Sequence, residues 1–183
     1  MVRVNPWLRV SAVILLFGVA VATEAQAQRT IFLVRHAEKV SNAPDAVLND
    51  AGHARAECLA STLADTGIQA VYVTDVRRVQ QTAEPLAARL KLTPIVTPKA
   101  DLAGLVAKLR SGDAMQVLVV GHQDTVPKTI AALGAGNVQP IGDSQFDILF
   151  VVTLEGREAR LTKLHYCDCG QPAQPNQGMK PGQ

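Results

Sequence analysis

Neither sign of charge dominates this chain: 18 lysines and arginines stand against 16 aspartates and glutamates over 183 residues, a formal +2. That balance leaves no electrostatic footprint for nucleic acid or for an anionic membrane surface, so any attraction for anions has to be local to a site. Also missing is an apolar run that could span a bilayer. Residues 10–22 form an apolar stretch of about 13 residues, whereas a spanning helix needs ~20. Arg3 and Arg9 precede that stretch and Ala25-Gln26-Ala27 follows it, which are the three parts of a secretory leader cleaved after residue 27. The residue after that point is Gln28, not cysteine, which argues against a lipid-anchored form. The reading is therefore an exported protein, periplasmic or secreted, that meets a membrane only through its leader. No internal repeat is visible.

Cysteine is scarce and odd in number: Cys58, Cys167 and Cys169. In an exported chain a disulfide is expected. Cys58 can pair with Cys167 or with Cys169, or the last two can close on each other in a strained local loop. The segment His165-Tyr166-Cys167-Asp168-Cys169 also clusters soft-metal ligands. One such cluster beside a Pro-, Gly- and Gln-rich tail is a weak basis for a site, and no metal or cofactor is expected. The organisation read from these features is a leader over 1–27, one domain over 28–169, and a tail over 170–183 whose composition predicts disorder.

Strand and helix signals alternate through the domain. Thr30-Ile31-Phe32-Leu33-Val34 reads as a buried strand that ends abruptly in Arg35-His36. Residues 70–74 and 116–121 read as two further strands, the latter ending at Gly121-His122. Helices are predicted over 50–65, 76–90, 102–110 and 124–133, with Asn49 or Asp50 capping the first. A Gly/Pro/Asn-rich loop over 135–143 leads into a hairpin, 146–154 and 159–166, turning at Glu155-Gly156-Arg157. This alternation predicts a three-layer α/β/α sandwich with a mostly parallel sheet and an antiparallel edge strand. In such a sheet ligands bind beyond the carboxyl ends of the strands, where Arg35, His36 and His122 fall.

Four motifs in order, each on the element expected for it, resemble the histidine phosphatase superfamily, the relatives of phosphoglycerate mutase. They are Arg35-His36 after a strand, the turn Leu48-Asn49-Asp50-Ala51-Gly52, the set Arg78, Thr82 and Ala83 opening a helix, and Gly121-His122 at a strand end. The resemblance covers residues 30–166 and points to the small single-domain phosphatase branch. It implies a phosphohistidine on His36, with Arg35, Arg78 and His122 clamping the non-bridging oxygens. Asn42, six positions after the nucleophile, matches a further phosphate contact, although Ser41-Asn42-Ala43-Pro44 equally reads as an ordinary turn. Two guanidinium groups and an imidazole can neutralise a phosphoryl dianion without metal, and the arginines should press His36 toward its neutral, nucleophilic form. Arg77 and His53 read as surface residues, His165 as structural, and Glu38 as a buttress of the loop.

The pattern departs from the family at the general acid. Relatives carry a glutamate after the strand that follows the second arginine motif, whereas residues 94–102 hold only Asp101. Asp101 and Asp124 are the two weak candidates, and each sits where a helix cap would sit. A missing acid matters little for aryl phosphates or phosphohistidine and slows the release of alkoxides. The absence of a long insertion after Glu84 predicts an open, shallow pocket suited to a bulky or envelope-linked phosphate. Export and the missing glutamate argue against a mutase. A phosphohistidine-protein phosphatase and a non-catalytic phosphate-binding module remain as alternatives.

Overall fold

The structure, a computed structural model, describes residues 28–167. The expected leader, Cys169 and the tail from residue 170 lie outside the described residues. Ten elements follow one another: β1 (Arg29–Arg35), α1 (Asp50–Leu63), β2 (Ala70–Val73), α2 (Arg77–Leu90), β3 (Ile95–Val96), α3 (Leu102–Ser111), β4 (Gln116–Gly121), α4 (Thr125–Ala132), β5 (Ile148–Glu155) and β6 (Glu158–His165). The strands form one sheet in the order β3-β2-β4-β1-β5-β6. β1 to β4 pair in parallel, while β5 runs antiparallel to both β1 and β6. The reversed strand is thus β5, one place in from the edge.

The two-residue period of each strand divides the core in two. Phe32, Val34, Leu118 and Val120 face Leu59 and Leu63 of α1 and Val79 and Leu86 of α2. Ile31, Leu33, Val117 and Val119 face the other way, toward Leu109 of α3 and Val126 and Ile130 of α4. Strands covered on both faces read as unbroken apolar runs, which is why β1 and β4 were legible as buried. The outermost strand β3 is two residues long, and Ile95 and Val96 stay exposed.

Among the cysteine alternatives the structure pairs Cys58 of α1 with Cys167 just past β6, a separation of 109 residues. Cys167 therefore has no thiolate to offer a metal, and His165 is already paired with Asp147 at 2.5 Å. The bridge fastens α1 to the last strand beside Tyr166, which is 4% exposed. Closing a loop of this length is worth about 2–5 kcal/mol. Cys167→Ser, or reduction of the parent, should lower the unfolding free energy by that amount in urea titrations, and an unchanged midpoint would show that the bridge adds nothing.

Candidate active site

β1 hands on to α1 on one face of the sheet and β4 hands on to α4 on the other, which opens a crevice between their carboxyl ends. Such a switch point is where open α/β sheets hold ligands. Arg35 lies in register with Gly121, and the His36 N–H donates to the Gly121 carbonyl at 2.9 Å. His36 and His122, one step further on, become neighbours with ring centroids 5.5 Å apart at an interplanar angle of 71°. Both are buried, 4% and 3% exposed.

Close backbone approach explains the small residues of the motifs. A Cβ at Gly52 would run into the Glu38 carbonyl oxygen, so glycine lets the first turn of α1 press on the loop after His36. Asn49 caps that helix by accepting from the Gly52 N–H at 2.9 Å. A Cβ at Gly121 would lie 2.9 Å from Thr125 Oγ1, the oxygen that accepts the His122 N–H at 2.9 Å. Thr82 is buried; its hydroxyl donates to the Arg78 carbonyl at 2.7 Å and accepts from the Ala37 N–H at 3.0 Å. One hydroxyl thereby sets Arg78 against the turn that carries His36. Glu38 buttresses the same loop through Arg55, whose Nε and Nη2 donate to it at 2.9 and 2.7 Å.

The His36 ring has a defined proton position. Its Nδ1 lies 2.8 Å from the Ala37 carbonyl oxygen, which can only accept, so Nδ1 carries the hydrogen and Nε2 keeps the lone pair. Burial pushes the His36 pKa down to about 3; the Ala37 hydrogen bond opposes this, and Arg78, Arg35 and His122 lower it further. His122 is lowered to about 4, again chiefly by burial, with Lys99 and Arg78 adding to it and Asp124 opposing. The arginines are the permanent charges. Arg35 Nη1 donates to the carbonyls of Gly142 and Asp143 at 2.7 and 3.0 Å, and its guanidinium lies 4.3 Å from the Phe146 ring centroid. Arg78 Nη1 donates to the Pro44 carbonyl at 2.6 Å. In both side chains Nε is buried without a hydrogen-bond partner among the described residues. A buried donor left open costs roughly 1–3 kcal/mol, a cost relieved when an anionic oxygen accepts from it.

The structure brings Arg35, His36, Arg78 and His122 into one electrostatic cluster. Asn42 it places at the exposed tip of the loop after β1, where the amide oxygen accepts from Lys39 Nζ at 3.0 Å. Asp101 caps α3, accepting from the Gly104 N–H at 2.9 Å. Asp124 occupies the cap position of α4 without making a side-chain cap, which corrects the expectation drawn from its position. It pairs instead with Lys99 at 3.3 Å, and although burial raises its pKa, that partner brings it below the ordinary carboxylate range. His53 and Arg77 are exposed. Sequence reasoning missed Thr74, whose hydroxyl sits 3.2 Å from His122 Nε2, and Phe146 beneath Arg35. Thr74 carried a signal, as the polar residue ending an apolar strand. Among the described residues no group of three His, Cys, Asp or Glu side chains is placed to hold a metal ion.

Comparison with known proteins bears on the fold. Residues 31–102 match the model of the "Histidine phosphatase superfamily (branch 1)". Among solved structures, the chain is similar to the protein histidine phosphatase SixA complexed with tungstate, with 21% identity, 74% of this chain and 96% of that one covered, and a TM-score of 0.63. It is also similar to the alpha-ribazole phosphatase from Shigella flexneri, with 18% identity, 74% and 96% covered, and a TM-score of 0.63. A mycobacterial glucosyl-3-phosphoglycerate phosphatase gives 16% identity, 76% and 98% covered, and a TM-score of 0.55. At these identities the likeness establishes the fold. Nothing among curated proteins matches the chain.

Both lowered histidine pKa values have a measurable consequence. The ring resonances of His36 and His122 in the free protein should show no titration between pH 5 and 8, and a midpoint near 6.5 for His36 would contradict the assigned environment. Unfolded imidazoles titrate near ~6.5 and take up protons that the folded ones refuse. Their contribution to stability is therefore complete above about pH 6.5 and declines as pH falls toward 4 and 3.

Proposed function

The chain belongs to the histidine phosphatase superfamily, and on that premise we propose that it is an exported phosphomonoesterase that works through a phosphohistidine on His36 without a metal ion. The observation that carries this reading is the state of His36. The ring is neutral, with Nδ1–H held by the Ala37 carbonyl and the Nε2 lone pair free. Beside it stand two guanidinium groups whose buried Nε–H donors lack partners. A neutral imidazole next to a doubly cationic cradle is the arrangement that in-line attack on a phosphoryl dianion requires. Nε2 forms a bond to phosphorus as the ester P–O bond breaks, and the leaving oxygen departs with the electron pair. Water then attacks the phosphohistidine, the N–P bond breaks, and phosphate leaves with His36 neutral again. Arg35, Arg78 and His122 hold the non-bridging oxygens through both steps.

Neither proposed acid is free to serve the first step. Asp101 is engaged by its helix, and Asp124 is held ionised by Lys99. The leaving oxygen takes its proton from solvent, which favours leaving groups that are stable as anions. Binding of tungstate, a tetrahedral oxyanion, by the SixA relative supports the oxyanion cradle and lends weight to phosphohistidine as a substrate. Export is supported by the leader pattern over 1–27 and by the Cys58–Cys167 bridge, since such bridges persist in oxidising compartments. On this reading the substrate is a phosphorylated small molecule or an envelope-linked phosphate met outside the cytoplasm.

Brief incubation with an aryl phosphate in EDTA, followed by an alkaline quench, should leave a phosphoryl group on His36 detectable by peptide mass spectrometry. His36→Ala should lack it and lose at least ~10³-fold in kcat/KM, and equal turnover by both proteins would overturn the mechanism. Phosphate binding without release by the parent would instead favour the non-catalytic binding module. Separately, protein recovered from the exported fraction of an expressing bacterium should begin at Gln28, and an intact amino terminus retained in the cytoplasm would refute the leader.

A further inference from the structure

Behind His122 lies a cavity of about 480 Å³ that the phosphoryl chemistry does not use. Its floor is the α3/α4 face of the sheet at Tyr72 and Val119, and its walls include Leu102 and Leu105 of α3 and Val126 of α4. It lies beside the amino-terminal half of α3, at Leu102 and Leu105. Leu109 is the single fully buried residue of that helix, while Leu102, Leu105 and Val106 are only half-buried. Apolar side chains thus line a space that no side chain of the described protein fills. The volume falls within the ~300–1,000 Å³ of small-molecule sites, whose linings are mostly apolar with a few fixed polar groups.

The cavity shares a wall with the phosphate cradle. Gly121, whose carbonyl holds the His36 N–H, lines it, as do Thr74 and Thr125, the two threonines hydrogen-bonded to His122. The Lys99–Asp124 pair also borders it and is half-exposed. None of Arg35, His36, Arg78 and His122 lines the cavity itself; the residues it shares with their hydrogen bonds place it next to them. This adjacency modifies the sequence expectation of a site that is only open and shallow.

We propose that this cavity is the leaving-group subsite and that the substrate class is the phosphomonoester of an apolar, aromatic alcohol. The proposal rests on the phosphatase reading above and adds to it the identity of the alcohol. Two independent features converge on that alcohol. The lining selects an apolar ring, and the two carboxylates that border the cavity, Asp101 capping α3 and Asp124 paired with Lys99, are both engaged, which selects an alcohol that leaves as a stabilised anion. As the His36 Nε2–P bond forms and the P–O bond breaks, an aryloxide departs with the electron pair into the cavity and takes its proton from solvent.

The test uses His36→Ala protein, which cannot turn esters over, and compares naphthyl phosphate, glycerol phosphate and inorganic phosphate by calorimetry. Naphthyl phosphate should bind at least ~10-fold more tightly than glycerol phosphate, as expected when a ring is buried in an apolar site. Leu105→Trp on the same background should fill the cavity and erase that margin while inorganic phosphate binds as before. Leu105→Phe, a smaller insertion, should reduce the margin and serves if the tryptophan variant does not fold. Phosphate binding with no naphthyl margin, or a margin that survives the filled cavity, overturns the subsite alone. Failure of folded protein to bind any of the three compounds would remove the phosphatase reading itself, and the subsite with it.

Discussion

The parallel pairing of β1 with β4 is the constraint on which the site depends. Arg35 and His36 come from one end of the domain's sequence and His122 from nearly ninety residues later, yet the register Arg35 to Gly121 leaves no freedom in how they meet. The bond from the His36 N–H to the Gly121 carbonyl carries that register one residue beyond the strand. The chain leaves β1 on one face and β4 on the other, which keeps the space above their junction clear of helices. The glycines follow from the same geometry. With side chains at Gly52 or Gly121, α1 and α4 would have to withdraw from the strand ends, and the turns that aim His36 and His122 would lose their supports.

Burial then does the electrostatic work. A histidine at the surface titrates near neutrality and would spend part of its time protonated and unable to attack. Here burial is the largest cause of the lowered pKa at both His36 and His122, with the arginine charges adding to it. The same burial strips water from Arg35 Nε and Arg78 Nε and leaves them without partners. The unpartnered Nε donors cost folding free energy at any pH, whereas the lowered histidine pKa values cost it only below about pH 6.5. The Cys58–Cys167 bridge and the Glu38–Arg55 ion pair lie close behind, tying α1 to the last strand and to the loop after His36.

Much of this was legible in the sequence because it is written in short-range patterns. The buried strands announced themselves as apolar runs, α1 by Asn49 and Gly52, and the cluster by Arg35, His36, Arg78 and His122 standing at the ends of elements. What escaped depends on contacts between segments far apart in the chain. Thr74 meets His122 across 48 residues, and the loop carbonyls at Gly142 and Asp143 reach Arg35 across more than a hundred. Position alone made Asp124 look like a helix cap, but Lys99, brought alongside by the α3/α4 packing, recruits its carboxylate instead. The choice between Cys167 and Cys169 as partner of Cys58 likewise depends on where β6 ends relative to α1, which no spacing rule reports.

The cavity beside His122 is the least legible feature and bears most on specificity. Nothing in the apolar pattern of residues 102–111 reports that Leu102 and Leu105 border a cavity while Leu109 is fully buried. The consequence reaches the chemistry. The two carboxylates bordering the cavity are not placed as acids: Asp124 is held ionised by Lys99 and Asp101 is committed to its helix. On the proposed mechanism alkyl esters react slowly, and discrimination falls to whatever binds the departing alcohol. An apolar wall next to the cradle supplies that discrimination in the ground state, while the intrinsic stability of an aryloxide supplies the rate. On the proposed reading the substrate brings to the site, in the stability of its aryloxide, what neither Asp101 nor Asp124 is placed to supply.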